Sequence, residues 1–202
     1  MERFQYLTIL VSLVVGLGVA DLLQSAYRLF QGHRRVRFHW LALAWAAVVF
    51  LRVAFFYWDF YRLGLDDSWA AFPAFLYLLA TPVLLFLASR NALPDALPDT
   101  VPGSLGSAED AATAKTLDLE AYYFDRPRGF FVVLALSALV QFGITFFLGI
   151  SVLNLRAVVF LAEVAVFAAL AWSRSPRLHA ALTALVLAET LWFAFVVQPP
   201  LE

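Results

Sequence analysis

The chain has 202 residues, of which 63% are hydrophobic and 14% charged, with a net charge of -1. A water-soluble domain carries about a quarter charged residues and has no means of hiding so much apolar surface, so an ordinary soluble fold is excluded. The near-neutral balance offers no basic face to nucleic acid, and the absence of cysteine excludes disulfides, thiolate nucleophiles and thiolate metal sites.

A membrane-spanning helix needs about 20 mostly apolar residues. Taken in chain order, the segments that qualify are 6–29, 40–60, 69–89, 129–150, 155–172 and 178–197. The first is too long for a signal peptide and no small-residue cleavage site follows it, so it reads as a mature helix. The third contains Pro82, whose missing N–H weakens it locally. Pro199 and Pro200 end the helical potential of the chain. The sequence thus predicts an all-α, polytopic six-helix transmembrane bundle.

Between the third and fourth segments, residues 91–128 form a linker rich in Pro, Gly, Ser, Ala and acid, with a short interfacial helix expected at about 117–124. The linker divides the chain into two sets of three helices. Arginine and lysine collect on alternate loops. Arg28, Arg34, Arg35 and Arg37 follow the first helix, Arg90, Lys115, Arg126 and Arg128 the third, and Arg174 and Arg177 the fifth. The positive-inside rule puts these loops in the cytoplasm and both termini outside it. Asp66 and Asp67 then face outward, and aromatic residues such as Trp40, Trp58, Trp69 and Trp172 stand at headgroup level. Anionic lipid headgroups are a natural ligand for Arg28, Arg34, Arg35 and Arg37, beyond their role in topology.

Charge at mid-membrane costs at least about 2.5 to 3.5 kcal/mol, so every such residue is a candidate site. Arg52, Glu163 and Glu189 each lie about 12 Å from the outer end of their segments, at 1.5 Å per residue. A guanidinium can bridge two carboxylates, so Arg52 is expected to meet one or both glutamates, and two acids against one arginine leave an unmatched carboxylate able to exchange protons. A buried ion pair that only fixes helix register is the competing interpretation. Asp21, Gln24 and Gln141 form a second polar candidate site. Ser12, Gly16, Ala20 and Gln24 recur every four residues, a stripe expected to pack closely in the bundle or against another copy.

No zinc-protease, nucleophile-elbow or phosphate-loop motif is present, and the histidines, His33, His39 and His179, are read as loop residues. No cofactor or metal is therefore expected, and enzymatic function is the weaker expectation. The Gly16-Leu17-Gly18 run, the arginine-rich loop and the aromatic second helix resemble small multi-span proteins of bacterial membranes, which implies an inner-membrane location and nothing more. Two functions remain open. One is a channel- or transporter-like protein using the buried charges. The other is a membrane scaffold, assembly or sensor subunit held to a second copy or a partner subunit.

Overall fold

A computed structural model describes residues 2–62, 72–94, 116–125, 127–147 and 155–197. Asp66, Asp67, Trp69, most of the acidic linker, and Pro199 and Pro200 lie outside these residues. The described chain is all-helical apart from one two-stranded bridge. Its helices are α1 (Glu2–Gln31), α2 (Trp40–Arg62), α3 (Phe72–Ala92), α4 (Leu119–Asp125), α5 (Pro127–Phe147), α6 (Leu155–Trp172) and α7 (Pro176–Trp192), the last continued by a π turn at Phe193–Val197.

Four stretches, Tyr6–Gln31, Trp40–Phe60, Phe75–Ala92 and Pro176–Phe195, are long and apolar enough to cross a membrane. Arg128–Gly143 and Ala157–Trp172 are shorter apolar helices. Much of this apolar surface points outward. Leu13, Leu17, Leu23, Leu161 and Leu185 are all exposed, a surface that water would penalise and lipid would not. The protein fits a membrane.

Helix α2 is central, packing on α1, α3, α4 and α7, while α5 pairs with α6 and α3 bridges α1 to α5. One main core runs through the bundle around Trp45, Val48, Val49, Leu85, Phe131, Leu134 and Phe167. A smaller one, Leu7, Val11, Phe60 and Leu78, closes the end away from the arginine-rich turn. Helix α1 meets its neighbours along Leu7, Val11, Leu22, Ser25 and Leu29, a seam of three- and four-residue steps. Gly18 lies on that seam, where an added Cβ would stand 3.4 Å from Phe86 Cα and 3.4 Å from Ser89 Oγ.

Within one chain, the small-residue stripe is not the packed face of α1. Gly16 has open space around it, and Ala20 and Gln24 are exposed. Ser12, half-buried, stands 3.4 Å from the Tyr57 hydroxyl on α2. Lipid tails are as apolar as leucine, so small size alone does not select the packed face.

Segment 116–125 also departs from expectation. Leu117–Asp118 form a strand paired in parallel with Val36–Arg37, and the helix begins only at Leu119. Leu119 and Tyr123 of this helix are buried in the bundle, while Glu120 and Ala121 are exposed. Asn91 and Ala92, read as linker, complete α3, and Pro127 and Arg128 open α5.

Candidate functional site

Arg52 is at the middle of α2, Glu163 at the middle of α6 and Glu189 near the end of α7. The three side chains meet. Arg52 Nη1 donates to Glu163 Oε2 at 3.1 Å, and Nη2 donates to Glu163 Oε1, which makes a two-pronged pair. Arg52 Nη2 also lies 3.7 Å from Glu189 Oε2. The guanidinium stands over the ring of Phe167, 5.3 Å from its centroid, a cation–π contact that a dry site strengthens. Such a fork fixes two helices in both distance and rotation, which a lysine would not do.

The two acids are not equivalent. The Arg52 and Glu163 side chains are 11% and 8% exposed, whereas that of Glu189 is 28% exposed. Glu189 accepts from the Thr190 hydroxyl at 3.5 Å and feels both Glu163 and Arg52. With both acids ionised the group carries a surplus negative charge, and one added proton makes it neutral. Arg52 Nε is buried and has no hydrogen-bond partner among the described residues.

The second expected site does not assemble in the same way. Asp21 is on α1, with Oδ2 buried and lacking a hydrogen-bond partner among the described residues. Gln24 is exposed on the same helix, while Gln141 on α5 reaches Ser137 Oγ, one turn back on its own helix, at 3.4 Å. Of the four loop arginines, Arg28 ends α1, Arg35 is exposed in a short 3-10 turn, and Arg37 pairs with Asp118 at 3.3 Å. The side chain of Arg34 lies outside the described atoms.

A buried polar network that the sequence did not suggest lies about two helical turns from Arg52, toward the arginine-rich end. Trp45, fully buried, donates through Nε1 to Thr183 Oγ1 at 2.9 Å and packs edge-on against Phe130, Phe131 and Phe167. His179 is not a loop residue but lies in the first turn of α7, with no exposed surface. Its Nε2 is 3.0 Å from the Ser173 carbonyl, which can only accept, so in the neutral ring Nε2 carries the proton. Nδ1 then accepts from the Tyr123 hydroxyl at 2.8 Å. Burial pushes the Tyr123 hydroxyl well above the usual tyrosine range.

The signal for this network was present. Ser175-Pro176 is a helix start, with proline at the first helical position. From there His179, Thr183, Val186 and Thr190 follow at helical spacing and form the buried face of α7. Among the described residues no group of three or more His, Asp and Glu could hold a metal ion. Arg52, Glu163 and Glu189 are joined by charge pairing. No protein-family model, curated protein or solved structure matches the chain.

Proposed function

We propose that this is a small transporter- or channel-like integral membrane protein whose Arg52–Glu163–Glu189 cluster carries a proton or a small cation. The observation behind it is the second carboxylate. Arg52 already has a two-pronged partner in Glu163, yet Glu189 shares the same Nη2 at 3.7 Å and its side chain stays partly exposed. A lock between helices needs one acid, and a partly accessible second acid is what a proton carrier requires.

All six long helices span the membrane in this reading. Helix α5, with 21 residues, and α6, with 18, are about 31 and 27 Å long at 1.5 Å per residue, close to the hydrocarbon thickness of about 30 Å. The arginine-rich turns lie in the cytoplasm, where Arg28, Arg34, Arg35 and Arg37 meet anionic headgroups, and both termini lie outside, in a bacterial-type inner membrane.

The test is flux of protons and simple cations into proteoliposomes. Wild-type protein is expected to conduct, Glu189→Gln to lose the flux, and Glu163→Gln to reduce it. Absence of flux from the wild type for all of these solutes would remove the transport reading.

A second reading, a scaffold or assembly subunit bound to a second copy or partner subunit, is favoured by the burial of the Arg52–Glu163 fork. There the charges only fix helix register. A doubly replaced Arg52→Met/Glu163→Met protein that assembles and functions normally would support it.

A further inference from the structure

The Arg52–Glu163–Glu189 cluster leaves one carboxylate over, and the groups around that carboxylate limit what it can hold. Both oxygens of Glu163 accept from Arg52, Oε2 from Nη1 and Oε1 from Nη2, so both are already committed. What remains is the Glu189 carboxylate, with the Thr190 hydroxyl donating to its Oε2 at 3.5 Å. The Glu189 side chain is 28% exposed, where that of Glu163 is 8% exposed. Glu189 is the acid that a ligand can reach.

A metal cation stripped of water must be given about six oxygen ligands in exchange. This level of the bundle has few to give. The positions three and four residues to either side of Arg52, Glu163 and Glu189 hold only valine, leucine, phenylalanine and tryptophan. Inside a helix the backbone carbonyls are already taken by the N–H groups four residues on. The Arg52 guanidinium, with Nη2 3.7 Å from Glu189 Oε2, repels any second cation at that carboxylate.

A proton needs no such shell. It adds to one Glu189 oxygen, forms an O–H bond, and leaves Arg52 and Glu163 as a balanced pair. Helix α7 packs on α2 and α6. The other titratable side chains described on those two helices are Tyr57 and Asp59, and Asp59 is seven residues from Arg52, about 10 Å along α2. Tyr123 of α4 meets α7 at His179, about 15 Å from Glu189 along the helix.

We propose that the ligand of the cluster is the proton, held on Glu189, and that alkali cations do not bind there. The proposal rests on the cluster being the transport site, but its test reads protonation and not flux.

Infrared difference spectra of the protein in lipid vesicles, recorded as the pH is lowered, show the C=O stretch of each carboxyl that takes up a proton. Wild type is expected to gain a band that Glu189→Gln lacks. Glu189→Asp, one methylene shorter, is expected to move that band, which assigns it even if Glu189→Gln fails to fold. In Glu163→Gln, Arg52 has Glu189 as its single acid, so the band is expected to vanish from the range where wild type gains it. Replacing choline chloride by NaCl or KCl is expected to leave the midpoint unmoved. A competing monovalent cation would lower it by about one pH unit for each tenfold rise in concentration above its Kd. Such a displacement, or a wild-type spectrum without a band from Glu189, overturns the proposal. Proton uptake by Glu189 in a protein without flux would keep it and remove the transport reading alone. Flux of Na+ or K+ through a protein without the band would do the reverse.

Discussion

The hydroxyl of Tyr77 on α3 occupies the space that a side chain at position 143 on α5 would need. Tyr77 donates to the Val140 carbonyl at 2.8 Å, and a Cβ built on Gly143 would overlap its hydroxyl oxygen. Glycine is required at this crossing because a tyrosine has been laid across the helix backbone. Gly143→Ala is expected to destabilise the protein by about 1 to 3 kcal/mol through overpacking. Thermal unfolding in detergent measures it. Combining it with Tyr77→Phe removes the overlapping atom, so the double variant is expected to be more stable than the sum of the two single losses.

The Arg52–Glu163 pair makes a second prediction. Removing one partner strands the other as a buried charge, a loss of about 3 to 5 kcal/mol in comparable sites. Arg52→Met is expected to show this loss. Glu163→Gln is expected to lose less, because Glu189 at 3.7 Å remains to balance Arg52. Arg52→Met/Glu163→Met should recover much of the stability of Arg52→Met. Equal unfolding temperatures for Arg52→Met and wild type would show that the pair holds nothing together.

Trp45 and Thr183 make a third. Thr183 supplies the acceptor for the Trp45 indole N–H in a site with no exposed surface on Thr183. Thr183→Val keeps the shape and removes the acceptor, which leaves a buried donor unsatisfied at a cost of about 1 to 3 kcal/mol. Thr183→Ser keeps the hydroxyl and is expected to lose less. Comparing their melting temperatures with that of wild type separates the hydrogen bond from the packing.

The long apolar helices were legible in the sequence because apolar length is what a lipid solvent demands. Arg52, Glu163 and Glu189 were legible as candidates because charge is scarce there, and their depths could be reckoned from helix rise. Two features were not legible for the same underlying reason. In lipid both the packed and the outer face of a helix are apolar, so hydrophobic periodicity did not reveal which face of α1 meets α3. Residue size pointed to Gly16 and Gly18 alike, whereas within the chain only Gly18 packs against α3. The docking of Tyr123 on His179 joins residues 56 positions apart, and neither residue type by itself indicates burial. Only the Ser175-Pro176 helix start, followed at helical spacing by His179, Thr183 and Val186, carried that information.

The two glycines of α1 give the fourth prediction. At Gly18 the neighbours are the Phe86 backbone and the Ser89 hydroxyl, both 3.4 Å from an added Cβ. Alanine therefore just fits, and a larger side chain must push α1 off α3. Gly18→Leu is expected to destabilise by about 1 to 3 kcal/mol through overpacking. Gly16 has nothing within 4 Å, so Gly16→Ala should be neutral or gain up to about 1 kcal/mol from helix propensity. Gly16→Leu should then add only a lipid-facing side chain. Unfolding measured in detergent for the leucine variants decides between the two faces. A large loss for Gly16→Leu, with the monomer's own core untouched, would mean that the open face of α1 is covered by another chain. That result would revive close packing along Ser12, Gly16 and Ala20 as a contact between copies instead of within one.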